Sequence, residues 1–359
     1  MQGLSMEHSF EVDPPFFGLS TLRSTENTSI FVLFILVLLW FSSASAGPLS
    51  DGAPDASGWS SGRLDSLAAE IRNDGVTAFL IVHKGRRVAA WGDIARTVNV
   101  ASVRKSLLSA LYGIQVAAGR IRLASTLAEL GIDDTAPALT PAEMHATVRD
   151  LLMARSGIYH PAAFETGDMH RKRPPRGSHA PGSFWYYNNW DFNALGTIYR
   201  QATGEDIFAS FAQRIAGPIG MEDFSAADGR YVTEATSRHP AYWFALSARD
   251  LARFGQLVLD GGQWQGRTVI PADWLRESTR ASSRTDHDDL GCGYLWWTLD
   301  AGRFGPDAVM ASGYGGQKLA ILPAKQLVVV QLIETRDGPH RDRTALFLDR
   351  LARILAAAP

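Results

Sequence analysis

Apolar residues at Leu64, Leu67, Ala68 and Ile71 recur every three or four positions, which predicts a helix over Leu64–Asn73. Two β-rich runs follow, Thr77–His83 and Arg86–Trp91, and Lys84-Gly85 between them reads as a hairpin turn. From Ser102 to Ala118 the apolar positions Val103, Leu107, Ala110, Leu111, Ile114 and Ala117 return to helical spacing, and Gly119 ends the run. Helical patterns separated by loops then dominate to about residue 285, most clearly at Ser247–Leu259. Strand patterns come back at Tyr294–Thr298, Ala308–Ser312, Lys318–Leu322 and Leu327–Ile333, and Arg343–Ala357 reads as a closing helix. Strands at both ends and helices in the middle predict an α+β fold. It has one antiparallel sheet formed from N- and C-terminal segments, flanked by helices, with an inserted, mostly helical lobe. The expected division is an α/β part at 63–119 and 290–357 and a lobe at 120–289.

Two segments stand apart from this pattern. Ile30–Phe41 (IFVLFILVLLWF) is uncharged and twelve residues long, short of the roughly 20 that span a bilayer. Ala44-Ser45-Ala46 follows as a small-x-small cleavage pattern, so 1–46 reads as a signal peptide or membrane anchor and 47–62 as a Gly/Ser/Pro-rich linker. Only Arg23 precedes the apolar run, against Glu7, Glu11, Asp13 and Glu26, so its positive region is poor. Export to the periplasm or medium is the expectation, with the membrane touched only through an uncleaved N-terminal segment. Arg171–Arg176 (RKRPPR) reads as a solvated surface insert, with a substrate-binding lid as the alternative.

Composition narrows the function. The 359 residues carry 35 Lys+Arg against 37 Asp+Glu, and this near balance gives no basic excess for nucleic acid. A single cysteine, Cys292, excludes an internal disulfide framework and Cys-rich metal centres. The nine histidines show no metal-ligand spacing, so neither a metal nor a cofactor is expected. Lysine is scarce: Lys84, Lys105, Lys172, Lys318 and Lys325 are the full set.

Two serine motifs compete as nucleophile. Gly58-Trp59-Ser60-Ser61-Gly62 matches G-x-S-x-G, but no strand precedes it and its surroundings read as linker. Ser102-Val103-Arg104-Lys105 matches S-x-x-K and opens a predicted helix, where residues three apart share a face with Cβ atoms about 5–6 Å apart. A serine hydroxyl becomes a strong nucleophile only when a base takes its proton. Lysine serves as that base only when neutral, and each unit by which its pKa falls costs about 1.4 kcal/mol. The bland alternative is a helix-capping serine beside an exposed lysine.

Support lies about 85 residues further on, in Pro181-Gly182-Ser183-Phe184-Trp185-Tyr186-Tyr187-Asn188-Asn189, leading to Leu195-Gly196. With these motifs the chain resembles the serine β-lactamase and penicillin-binding-protein family, in its class-C-like branch of esterases, D-aminopeptidases and 6-aminohexanoate-dimer hydrolases. The family's Y-x-N motif fits Tyr187 and Asn189 better than Tyr186 and Asn188. Asp150–Ile158 (DLLMARSGI), Ser247–Gly255 (SARDLARFG) and Gly293–Trp297 (GYLWW) are similar to further family segments. The third family motif, K-T-G or H-x-G, falls on Ala311-Ser312-Gly313, so Ala311 stands where a cation is usual.

The resemblance implies a fold of the β-lactamase/transpeptidase type and a serine hydrolase acting on an ester, amide or short peptide. In that reading Ser102 is the nucleophile, Lys105 and Tyr187 are base and proton relay, and Asn189 orients Lys105 or the substrate. Ser312 contacts substrate, and Gly313 lets the strand approach so that the backbone N–H of Tyr314 joins that of Ser102 around the oxyanion. Trp185, Tyr186, Trp190, Tyr242, Trp243 and Trp296 are candidates for an apolar acyl pocket. Alternatives are a true β-lactamase or D,D-carboxypeptidase, and a catalytically silent penicillin-binding-like module.

Overall fold

The computed structural model describes residues 49–51, 58–286, 290–334 and 343–359. The apolar run at 30–41 and the expected cleavage point after Ala46 lie outside these residues. Residues 44–359 group as one unit.

Nine strands make the main sheet. In chain order they are β1 (Ser50–Asp51), β2 (Ala78–His83), β3 (Arg86–Gly92), β4 (Ser283–Arg284), β5 (Leu290–Cys292), β6 (Trp297–Leu299), β7 (Val309–Gly313), β8 (Gln317–Leu322) and β9 (Leu327–Leu332). Their spatial order is β1-β3-β2-β9-β8-β7-β6-β5-β4. All pairings are antiparallel except the short β1, which lies parallel to β3. The β9–β2 pairing, Val329 opposite Ile81, joins the two ends of the chain in the middle of the sheet. The expected hairpin is present: Lys84 and Gly85 both take positive φ, as a two-residue turn with the right twist requires. The run read as linker carries β1 and the buried Trp59.

Both faces of the sheet are covered. On one face Phe79, Ile81, Met310, Ala320 and Val329 pack against α1 (Ser61–Asn73) and the C-terminal helix Thr344–Ala357. On the other, Leu80, Val82, Leu319, Ile321, Val328 and Val330 meet the core of the helical region. Alternate residues of β2 thus enter opposite cores, which is why Ala78–Val82, β8 and β9 are buried without a break. Each fully buried Phe, Leu or Val contributes about 1.5–3 kcal/mol.

Two helices of the second core position the site, α2 (Arg104–Ala117) and α4 (Asn189–Thr203), and the exposed short helix α3 (Gly167–Lys172) borders it. Ser247 caps a further helix, α5 (Ala248–Leu259), which packs on β8 and β9. In the region 120–289 helices separated by loops are the commonest regular elements, and it also carries a two-stranded sheet, Arg230–Glu234 with Ser237–Trp243. One expected strand is displaced. Tyr294–Trp296 form a bend in which Leu295 takes φ +64° and its N–H reaches Leu152 O at 3.2 Å, so β6 starts only at Trp297. An apolar run signals burial, and here burial comes without pairing.

Candidate active site

Ser102 lies in a single 3₁₀ turn, Ala101–Val103, which leads into α2, and not in the α-helix that the sequence suggested. Ala101 sits at φ +47°, a left-handed conformation that costs an alanine about 1–2 kcal/mol. Two contacts hold it there: Ala101 N–H donates to Asn99 Oδ1 (2.9 Å), and Val100 N–H to Phe244 O (3.0 Å). The turn brings the Ser102 hydroxyl to the floor of a cleft of about 1400 Å³.

Lys105 follows on the first turn of α2 and is only 3% exposed. Its Nζ is 2.9 Å from Ser102 Oγ, 2.6 Å from Tyr187 OH and 2.9 Å from Asn189 Oδ1. The rings of Tyr187 and Phe192 lie under the nitrogen, 4.3 and 4.4 Å from it. Burial, reinforced by the neighbouring Arg104 charge, holds the Lys105 pKa well below its ordinary value. A neutral amine has two N–H donors and one lone pair. The carbonyl Asn189 Oδ1 can only accept, and Tyr187 OH accepts the second N–H. The lone pair then faces the Ser102 hydroxyl, which is the geometry of a base. Burial pushes the Tyr187 phenol up to about 12, against weaker opposing effects of Ser102 and Arg104, so it stays protonated at neutral pH.

The start of α4 holds the other two partners. Asn188 caps the helix by accepting from Trp190 N–H (3.1 Å), so Tyr187 just outside and Asn189 just inside both face α2. Asn188 Nδ2 donates to Ile158 O (2.6 Å) and to Asp191 Oδ1 (3.0 Å), and Ser156 Oγ donates to the same carboxyl oxygen (2.5 Å). Asp191 is wholly buried, and that burial raises its pKa well above the usual carboxylate range. Asn189 Nδ2 donates to Phe164 O (2.5 Å), which fixes the orientation of its amide. Tyr186 points elsewhere, donating to Met169 O at 2.7 Å.

The third motif runs along β7. A Cβ built on Gly313 would stand 2.4 Å from Val100 O and 3.1 Å from Ser102 N, so this strand lies directly against the Ser102 turn. Ala311 is buried. A cation nevertheless reaches the motif from the next strand. Lys318, register partner of Ser312 and 2% exposed, donates to Ser312 Oγ (2.5 Å) and to Thr344 Oγ1 (2.7 Å). Tyr314 is 54% exposed at the cleft wall.

Basic residues 171–176 are not a merely solvated insert. Arg173 and Arg176 pair with the nearly buried carboxylates of Glu165 and Glu143. Arg171 and Lys172, at the end of α3, line the cleft, and Lys172 Nζ meets Asp286 Oδ2 at 2.7 Å from the opposite side. Trp185, Tyr186 and Trp297 also line it. Trp296 borders a small cavity of about 20 Å³ behind Ser102 and Lys105. Trp190 and Tyr242 belong to the core, and Trp243 packs edge-on against Phe164.

The beta-lactamase family profile matches residues 64–353. The chain belongs to the beta-lactamase family. Solved structures similar to it include a candidate 6-aminohexanoate-dimer hydrolase from Bacillus anthracis (20% identity, 88% of this chain and 89% of that one, TM-score 0.66). Others are a class C beta-lactamase (14%, 83% and 96%, TM-score 0.62) and a family VIII carboxylesterase (18%, 81% and 96%, TM-score 0.59). At these identities the likeness establishes the fold.

Within this beta-lactamase-family fold, Ser102, Lys105, Tyr187 and Asn189 converge on one amine, while Ser312, Gly313 and Tyr314 follow one another along one wall. Ser60, from the competing motif, starts α1, its N–H bonded to Ala357 O. Sequence reasoning missed Lys318 and Thr344, which meet only through strand register and the packing of the C-terminal helix. It also missed the cleft-lining role of α3, whose sequence GDMHRK carries no apolar stripe to mark a buried face.

Proposed function

We propose that the protein is a serine hydrolase that cleaves an ester or amide bond through an acyl-enzyme on Ser102. The observation that carries this reading is the buried amine of Lys105, within hydrogen-bond reach of Ser102 Oγ and Tyr187 OH at once. Ser102 Oγ attacks the carbonyl carbon as its proton passes to Lys105 Nζ. The oxyanion lies between the Ser102 and Tyr314 N–H groups, where each donor contributes 10²–10³ in rate as an order of magnitude. The C–O or C–N bond then breaks, and the proton held by Lys105 reaches the leaving group through the Tyr187 hydroxyl. Water repeats the sequence on the acyl carbon, releasing the acid and restoring Ser102. The N-terminal apolar run supports the further proposal that this happens after export, which cell fractionation tests.

A fluorophosphonate probe followed by peptide mass spectrometry tests the nucleophile. Label on Ser102, and loss of short-chain p-nitrophenyl ester hydrolysis in Ser102→Ala, are expected. An unlabelled Ser102, or an alanine variant with full activity, overturns the reading. One observation favours a second reading, a β-lactamase or D,D-carboxypeptidase: Lys318 supports the Ser312 hydroxyl in the third motif, a suitable neighbour for a substrate carboxylate. Nitrocefin turnover with fast deacylation would select it.

A further inference from the structure

Arg104 lies between the proposed nucleophile and base in sequence and is only 4% exposed. Its Nη2 donates to Asn193 Oδ1 (3.0 Å), its guanidinium carbon stands 4.0 Å from the centroid of the Tyr242 ring, and its Nη1 is buried with no hydrogen-bond partner. Among the described residues no carboxylate pairs with it. The other deeply buried arginines differ. Arg253 is paired with Glu222, and Arg350 with Glu70 and Asp74. Charges this deep are ordinarily neutralised by a partner, and an arginine does not shed its proton. An unpaired buried guanidinium one residue away therefore adds its charge to the burial that already disfavours a protonated Lys105 amine.

We propose that Arg104 is a positioning residue for the same site: its uncompensated charge keeps Lys105 an unprotonated amine, available to take the Ser102 proton. The groups around the amine leave Arg104 this role. Tyr187, just before α4, and Asn189 and Phe192 on α4 face Lys105 from one side, and Cys292, Trp296, Trp297 and Ser312 from the sheet side. Burial pushes the Cys292 thiol up to about 11, so it is uncharged, as the Tyr187 phenol is. Lys318 directs its Nζ at Ser312 and Thr344. No carboxylate lines the cavity around Lys105. Of the charged groups named, Arg104 is the one that acts on Lys105. Tyr242 and Asn193, the groups that face Arg104, are both neutral. The Tyr242 phenol is pushed up to about 12 by burial.

The inference rests on the hydrolase reading, and its test separates the two. The rate constant for fluorophosphonate labelling of Ser102 is measured against pH in the full chain for wild type, Arg104→Met, Arg104→Lys and Asn193→Asp. The methionine variant is expected to move the acid limb up, with a loss of labelling rate at pH values below both limbs. The lysine variant, whose amine can shed its proton in the same unpaired site, moves the limb in the same direction, which marks the permanent guanidinium charge and not side-chain length as the cause. Asn193→Asp sets a carboxylate against the guanidinium and moves the limb up with Arg104 still present, so it carries the test if the methionine variant does not fold. A wild type that never labels at Ser102 overturns the hydrolase reading itself. A wild type that labels, with a limb that neither neutralising variant moves, overturns the role of Arg104 alone. Rates lowered equally at every pH do the same, since that is the mark of a structural residue.

Discussion

Gly313→Ala puts the closest contact of the site under load. The added Cβ meets Val100 O at 2.4 Å, Gln317 Cβ at 3.0 Å and Ser102 N at 3.1 Å. A carbon–oxygen contact relaxes only at about 3.3 Å, so β7 and the nucleophile turn must separate by about 1 Å. Gly313 is not at positive φ, so the effect is one of space and not of backbone strain. A 1 Å displacement costs roughly 10² in rate, and loss of one oxyanion donor 10²–10³, or about 2.7–4 kcal/mol. Overpacking adds about 1–3 kcal/mol of destabilisation. The assay is burst and steady-state kinetics on a p-nitrophenyl ester, with thermal unfolding by circular dichroism alongside. Gly85→Ala is the control: its Cβ meets open space at φ +72°, so it loses about 1–2 kcal/mol of stability and no activity. A folded Gly313→Ala protein that keeps kcat within about threefold of wild type refutes the oxyanion role of β7, since one lost donor alone costs at least 10².

Other outcomes follow from the same geometry. Tyr187→Phe removes the hydroxyl 2.6 Å from Lys105 and lowers kcat by roughly 10²–10⁴, whereas Tyr186→Phe loses only its bond to Met169 O and keeps most activity; the reverse order in a kinetic comparison overturns the register. The acid limb of the kcat/KM profile lies well below the roughly 10.4 of an ordinary lysine, because the reactive amine exists only above its lowered pKa. No descending limb from Tyr187 enters before about pH 12. The buried neutral form of Asp191 stabilises the fold below the ordinary aspartate pKa of about 3.9, and this contribution is lost as pH rises toward its raised folded value. Denaturant titrations should therefore show Asp191→Asn gaining on wild type as pH increases. Asp191→Ala, which strands the Ser156 and Asn188 donors, loses about 1–3 kcal/mol at any pH.

How much of this was legible in the sequence follows from the range of each interaction. The β2–β3 hairpin is written in two adjacent residues, Lys84 and Gly85, between two β-rich runs. The spacing of Ser102 and Lys105 is likewise local, and capping at Asn188 sets Tyr187 and Asn189 on either side of a helix start. The strand expected at Tyr294–Thr298 begins only at Trp297 because Leu295 is held by Leu152, far away in sequence. The basic stretch 171–176 looked solvated because its partners Glu143 and Glu165 lie outside it. Lys318 was invisible as a site residue for the same kind of reason. Only the β7–β8 register sets it opposite Ser312.

The two buried basic side chains reach different parts of the site. In the proposed mechanism Arg104, which is not part of the cleft lining, acts on Lys105. Its loss should weaken labelling and turnover alike, for every substrate. Lys318 lines the cleft and donates to Ser312 Oγ, so the hydroxyl proton of Ser312 is directed away from the ammonium and toward whatever acceptor occupies the cleft. A carboxylate there gains a charge-assisted hydrogen bond of about 1.5–3 kcal/mol, or roughly 10–150-fold. Lys318→Met should therefore lower kcat/KM for a p-nitrophenyl ester carrying a terminal carboxylate by that factor, and far less for its neutral analogue of equal length. An equal fall on both esters would mean that Lys318 only holds the C-terminal helix to β8 through Thr344, and Ser312 would then lose its part in substrate choice.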